Sequence, residues 1–276
     1  IFFKVARGGG FEFLEREAEG VAAVDPLYVI EDITLRIPIQ ADFMTLDPGL
    51  NEATEDAEVC EQLFLGLTAL DPTTYEAAPE LATSWTVSED GMRYTFHLRQ
   101  DVKWTDGTPV TAQDVVWAIQ RNINPAVKAT YAYFLYPLKN AQALNTGEMT
   151  DPNAIGVRAV DDFTVEFTLE HPISYFPMLA GVNVYRPLPR HVLEKYGDTW
   201  TDPAHIQTNG SYRLARWDKG LVLILRRNPT YYDASHVAIP EVRYYVIPSG
   251  SVGMAMYNQN ELDLLGGPYL QIPVNA

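Results

Sequence analysis

Residues 102–121 read VKWTDGTPVTAQDVVWAIQR, a turn, a cap and a short amphipathic run in direct succession. Asp106-Gly107 is a turn signal. Thr111 followed by Asp114 has capping-box spacing, with Asp where Glu is commoner. The box opens a helix that carries Val115, Val116 and Ile119 on its apolar side. Trp104 and Trp117 are read as packing residues rather than as a ligand platform. The stretch is therefore scaffold, and it sets helix against strand in a chain whose other segments alternate between the two.

Those other segments are mostly hairpins. In TSWTVSEDGMRYTFHLR (83–99) the Ser-Glu-Asp-Gly turn joins a short strand to one with Tyr94, Phe96 and Leu98 on a single face. In VRAVDDFTVEFTLEH (157–171) the Asp-Asp turn joins Val157–Val160 to a strand presenting Phe163, Val165, Phe167 and Leu169. A third hairpin, in 211–233, turns at Asp218-Lys219-Gly220, and its Leu221–Leu225 run is apolar on both faces, as in a strand covered on both sides. DITLRIPIQ (32–40) alternates as a strand, and its proline places it at a sheet edge. EVRYYVI (241–247) and ELDLL (261–265) read as strands, and SVGMAMYNQ (251–259) as a short helix. Residues 1–31, with the Gly8–Gly10 triplet, suit an extended leader. Without a regular βαβ repeat, the fold class is mixed α/β or α+β.

No apolar run approaches the roughly 20 residues that cross a bilayer. The chain does not begin with Met, so an upstream segment, a signal peptide or an anchor, is expected. Cys60, the single cysteine, excludes an internal disulfide, and it falls on the broad apolar side of a helix in AEVCEQLFLGL (57–67), where a buried thiol is expected. The formal charge of −16 is uneven: Ile37 to Met92 holds twelve Asp and Glu and no Lys or Arg, leaving −4 for the rest. Such a field repels nucleic acid and anionic lipid and favours cationic ligands or partners.

Motifs of catalysis are missing. Neither G-x-S-x-G, H-E-x-x-H, a Walker sequence nor G-x-G-x-x-G occurs, and no metal or cofactor is expected. The histidines His97, His171, His191, His205 and His236 are scattered. Asp161-Asp162 could serve glycoside hydrolysis, but the hairpin needs a turn there. Asn209-Gly210-Ser211 fits both a glycosylation sequon and a turn, and the turn is preferred. ATYAYFLYPL (129–138) packs Tyr131, Tyr133, Phe134 and Tyr136 too densely for a one-sided core helix, so some of these rings face solvent, a cleft or another domain.

The order of motifs carries more than any one of them. LDP (46–48), EQLFLGL (61–67), PELATSW (79–85), YTFHLRQDVKWTDGTPVTAQDVVWAIQR (94–121), HVLEKYGDTWTDPAHIQTNGSY (191–212), LRRNPTYYD (225–233) and ELDLL (261–265) together resemble the extracytoplasmic oligopeptide- and dipeptide-binding proteins of ABC importers, from about Ile33 to Pro268. The resemblance implies a periplasmic-binding-protein-like lobe with an inserted α+β accessory domain. Residues 32–50 and 186–276 would form the first lobe and 51–185 the insertion, with the second lobe beyond this sequence. It implies peptide capture without catalysis, on the periplasmic or extracellular face of the cytoplasmic membrane, with delivery to a membrane permease. Family members border the ligand at positions that map here to Asp42, Phe43, Met44 and Thr45, and the inserted domain's ligand-facing aromatic maps to Tyr131. Main-chain groups beside Phe43 and Met44 would pair with an extended peptide, and Asp42 would either attract a cationic group or cap a loop. Two rivals stand beside this reading. One is a degenerate lobe acting as a structural subunit, held by a protein partner at its exposed interlobe face; the other is a hydrolase using cleft carboxylates.

Overall fold

The computed structural model describes residues 33–267 and 269–271, so the expected leader over 1–31 lies outside the described residues. In chain order the elements are β1 (Thr34–Ile39), α1 (Thr54–Leu63), β2 (Thr68–Leu70), β3 (Ala77–Pro79), β4 (Ala82–Val87), β5 (Arg93–Leu98), α2 (Ala112–Ile123), α3 (Ala141–Thr146), β6 (Val157–Asp161), β7 (Thr164–Thr168), α4 (Phe176–Leu179), α5 (Arg190–Tyr196), β8 (Tyr212–Asp218), β9 (Val222–Arg227), β10 (Glu241–Val246) and α6 (Gly250–Asn258). They form a mixed α/β structure.

Two four-stranded sheets organise the chain. The first has the order β1-β10-β9-β8 and the second β4-β5-β7-β6. The strands of the second lie entirely between β1 and β8 in sequence. β1 pairs with β10 in parallel, Thr34 opposite Glu241 and Ile39 opposite Val246. Parallel neighbours need a crossover, and here the crossover contains the whole second sheet. All three expected hairpins form, as β4–β5, β6–β7 and β8–β9.

β1 is an edge strand, which is why Pro38 is tolerated in it. Ile37, Pro38 and Ile39 are all buried, residues 34–36 half-buried and Ile33 exposed, so burial rises along the strand instead of alternating as its sequence suggests. ELDLL is not a strand. Asp263 instead brackets the free edge of β1: its carboxylate accepts the Arg36 amide at 2.7 Å and its amide donates to the Arg36 carbonyl at 3.0 Å. The Arg36 guanidinium completes the bracket with an ion pair to the same carboxylate at 2.7 Å. One residue thus blunts an edge that a strand would have extended. β9 is also covered less than its sequence implies. Leu223 and Leu225 are buried, Val222 and Ile224 half-buried and Leu221 exposed. Its neighbours are antiparallel to it on one side and the other, an arrangement that leaves one face open to water. The β2–β3 hairpin escapes the sequence pattern because its strands have three residues each; its turn signal is Asp71, whose carboxylate accepts the amides of Thr73 and Thr74.

The opening stretch folds as its spacing requires. The Asp114 carboxylate takes the Thr111 amide at 2.8 Å, and α2 buries Val115, Ala118, Ile119 and Ile123. Trp104 is fully buried and meets Phe64 edge-on at 6.5 Å; Trp117 is half-buried. Cys60 is buried, and burial pushes its thiol well above the usual range. Asn209 is buried as well. Its side chain accepts the Leu65 amide at 2.9 Å, and a Cβ on Gly210 would lie 2.5 Å from the Gln62 carbonyl, so the sequon is a close backbone contact with the end of α1.

At its far end α2 meets the LDP loop. Arg121 reaches Asp47 through both terminal nitrogens, at 2.6 and 3.3 Å, and the same carboxylate accepts the Gly49 amide at 2.9 Å and the Trp200 indole at 3.3 Å. Asp47 is buried and Arg121 largely covered, with side-chain exposure of 3% and 17%. Gly49 has no room for a side chain, since a Cβ would sit 2.3 Å from Asn122 Oδ1. One apolar core runs through both sheets, and a smaller cluster forms around Ile247, Leu262 and Leu270.

Removing one partner of a buried ion pair leaves the other charge uncompensated, at a cost of about 3–5 kcal/mol. Arg121→Ala should therefore lower the unfolding free energy by about 3 kcal/mol in denaturant titration, and adding Asp47→Asn to it should restore part of that loss. A second test uses Glu58, which is buried on α1 and accepts the Tyr269 hydroxyl at 2.8 Å. Burial raises the Glu58 carboxyl above its ordinary value, with the tyrosine bond opposing. A raised folded-state value means that ionised Glu58 weakens the fold, and the penalty appears only as pH rises above the ordinary carboxylate range of about 4.3. Glu58→Gln should raise the melting temperature at pH 8, with the gain vanishing near pH 4.

Candidate functional site

The segment from Asp42 to Thr45 leaves β1 and runs toward the LDP loop, anchored at both ends by carboxylates. Asp42 is half-buried and accepts three N–H groups: the Phe43 amide at 2.9 Å, the Trp217 indole at 3.0 Å and the Gly220 amide at 2.7 Å. It thereby staples the tip of the β8–β9 hairpin to the segment. Lys219 at that tip lies over the Trp217 ring, 2.9 Å from its centroid, and burial lowers the lysine below its usual value against the opposing pull of Asp42. Phe43 is buried, edge-on to Tyr244 at 5.4 Å, so its side chain belongs to the core. Met44 is 82% exposed, the most open large apolar side chain among the described residues. Thr45 is half-buried and its hydroxyl accepts the Asp47 amide at 3.0 Å.

Asp56, in the first turn of α1, pins the segment from below. One carboxylate oxygen accepts the Met44 amide at 3.0 Å, and the Thr45 amide also supports it. Burial nevertheless raises this carboxyl above its ordinary value. Of the main-chain groups beside Phe43 and Met44, the two amides are thus engaged by Asp42 and Asp56, while no described residue bonds the carbonyls. Any extended partner would meet acceptors there.

Tyr131 stands near the same helix start. Its hydroxyl donates to the Glu52 carbonyl at 3.2 Å, and the neighbouring Thr130 hydroxyl donates to the Glu52 carboxylate. Its ring contacts Tyr133 and Phe134, with centroids 6.0 and 5.9 Å away, and these two stack on each other at 4.6 Å. Tyr133 is half exposed; Tyr131 and Phe134 are partly covered. The structure therefore ties Asp42–Thr45 and Tyr131 to one place, the beginning of α1, through Asp56 and Glu52. Sequence reasoning passed over both linking acids, although an acidic residue in a first helical turn is the signal that would have drawn attention to Asp56. Asn51 escaped notice too. It is buried and its side-chain amide nitrogen has no hydrogen-bond partner among the described residues.

The paired carboxylates Asp161 and Asp162 border an open pocket of about 410 Å³ with His97 and Gln100. Asp161 uses one oxygen to accept the Phe163 amide at 2.8 Å, which is turn chemistry. Among the described residues no group of three or more His, Cys, Asp or Glu side chains is placed to hold a metal ion, and no helix is long and apolar enough to cross a membrane.

Comparison with known proteins agrees with this architecture. The family model "Bacterial extracellular solute-binding proteins, family 5 Middle" matches residues 76–275. The chain is 36% identical over 231 residues to the probable deoxycholate-binding periplasmic protein YgiS of Escherichia coli, covering 83% of this chain and 43% of that protein. It is 36% identical over 228 residues to the periplasmic oligopeptide-binding protein OppA of Escherichia coli, covering 81% and 41%. The crystal structure of Haemophilus influenzae OppA in complex with RPPGFSPFR superposes with a TM-score of 0.78 at 34% identity, covering 84% of this chain and 46% of that one. The chain spans less than half the length of these relatives, and by the match over 76–275 it belongs to family 5 of the bacterial extracellular solute-binding proteins.

Proposed function

We propose that the chain supplies the first lobe and inserted domain of an extracytoplasmic protein that captures peptides for an ABC importer and performs no chemistry on them. Residues 32–50 and 186–276 make the lobe and 51–185 the insertion. α1 serves both, since it packs on β8 of the first sheet and also against the turn at Asn183–Tyr185. The observation that carries the reading is the convergence at the start of α1: a backbone segment with an exposed Met44, amides held from within, and an aromatic group bonded to the same helix start. Backbone acceptors can take the amides of an extended peptide whatever its side chains, and aromatic faces accept varied side chains at low entropic cost. Met44 adds a soft, adaptable contact.

In this reading Asp42, Phe43, Met44, Thr45 and Tyr131 line the ligand, with Asp42 and Phe43 acting through the shape they give the segment. The rest of the protein closes over the ligand by a hinge motion, which requires the closed state to bind more tightly than the open one. A permease on the membrane receives the load.

Native mass spectrometry of the full-length protein from its source should show heterogeneous added masses of peptide size. A ligand-free chain in fixed stoichiometry with another protein would count against transport. Tyr131→Ala in the full-length protein should raise the peptide Kd about tenfold, equivalent to about 1.4 kcal/mol, while Tyr131→Phe, which keeps the ring, should cost far less. Equal affinity for wild type and Tyr131→Ala would remove this ring from the site.

A further inference from the structure

The open face of the first sheet carries arginines. Residues directly opposite each other on paired strands share a face, and the register aligns Arg216 with Ile224, Arg243 and Arg36 in one row across β8, β9, β10 and β1. The next row aligns Arg213 with Arg226 and Glu241. On the opposite face Leu214, Leu223, Leu225, Val242 and Tyr244 are buried. Strands lie about 4.8 Å apart, so a row of four spans about 14 Å. α6 and the loop after it take up the β1 end: Tyr245 and Met256 pack on one small cluster, and Arg36 donates to the Asn260 carbonyl at 2.6 Å. The β8–β9 end stays open, with Arg213, Arg216 and Arg226 exposed and Ile224 half-buried beside them.

This face reverses the charge of the molecule. Tyr212 to Val246 holds six Lys and Arg against Asp218, Asp233 and Glu241, a balance of +3 in a chain of −16. On the face itself five arginines meet three carboxylates: Asp263 pairs with Arg36, Asp218 with Arg216, and Glu241 with both Arg226 and Arg243, at 2.8 and 2.6 Å. Among the described residues Arg213 has no ion pair, so positive charge is left over. The four strands contain no lysine. Arginine without lysine around an apolar centre is the composition of a protein interface. There the planar guanidinium binds a carboxylate through two parallel hydrogen bonds.

Loops on the outer side of membrane proteins carry few Lys and Arg, so their carboxylates lack basic neighbours. We propose that the arginine face docks the protein, through such carboxylates, on the outer surface of the importer's membrane subunits. The acidic stretch from Ile37 to Met92 is repelled by the same surface, and the two effects together orient the molecule with its arginine face inward. Among the described residues none of the five arginines bonds to Asp42–Thr45 or Tyr131, so docking and peptide contact use different side chains. The inference rests on the importer reading above and adds to it the surface that meets the membrane subunits.

The test titrates the full-length protein onto neutral phosphatidylcholine vesicles that carry the importer's membrane subunits, with empty phosphatidylcholine and empty phosphatidylglycerol vesicles alongside. Arg213→Glu with Arg216→Glu should weaken docking about tenfold at low salt. Its peptide affinity should stay at the wild-type value, which also shows that the variant folds. The same charge change on the second sheet, Arg93→Glu with Arg158→Glu, alters two exposed residues and should leave docking unchanged. Equal docking by wild type and the first-sheet variant, an equal loss in both variants, or no docking by a wild type that binds peptide would overturn the inference. So would binding to empty phosphatidylglycerol vesicles, or a wild-type dimer, that the first-sheet variant abolishes, since lipid or a second copy would then occupy the face. A wild type that binds no peptide would overturn the importer reading itself.

Discussion

The buried pair between Asp47 and Arg121 is the constraint on which the remaining geometry depends. It joins three stretches far apart in sequence: the loop that leaves β1, the last turn of α2, and, through Trp200, the return segment before β8. Burying two charges is costly, and the cost is offset here by saturation of the carboxylate. Arg121 approaches it with two nitrogens, and the Gly49 amide and the Trp200 indole occupy what is left. A loop so fully bonded has little freedom. The candidate segment Asp42–Thr45 ends two residues earlier, and this knot fixes the loop that follows it while Asp42 and Asp56 hold the segment itself.

The acidic composition divides by task once the bonds are drawn. Asp71, Asp90, Asp106, Asp151 and Asp161 each accept a backbone amide two residues ahead and so shape turns. Asp47 neutralises an arginine, Asp42 fastens a hairpin tip and Asp114 completes a cap. Much of the −16 charge is therefore spent on local structure. Glu52 belongs to the same group, since its carboxylate accepts the Thr130 hydroxyl.

The parts of the fold legible in sequence were those with short-range causes. Turn residues at Ser88–Gly91, Asp161-Asp162 and Asp218-Gly220 fix three hairpins, and the Thr111–Asp114 spacing fixes the start of α2. What sequence pattern cannot carry is the identity of distant partners. ELDLL has the apolar content of a strand, yet Asp263 is drawn out of that role by Arg36, more than two hundred residues earlier. The same limit applies to the candidate site. Resemblance to a family brought Asp42, Met44 and Tyr131 forward, but that Asp42 is consumed by Trp217 and Gly220, and that Asp56 and Glu52 link the two halves of the site, follow only from contacts across the chain.

The parallel pairing of β1 with β10 has a kinetic consequence. The second sheet lies within residues 82–168, and its two hairpins are joined by the pairing of β5 with β7, a shorter closure than that of the first sheet. The first sheet cannot be completed until residue 246 is available to meet residue 39, a closure over most of the chain. Contacts of that separation bear their loop entropy before any packing rewards it. Topology thus favours formation of the middle of the sequence before the pairing of its first strand. Until it pairs, β1 is a partly apolar strand with both edges open, and in the folded chain β10 covers one edge and Asp263 the other.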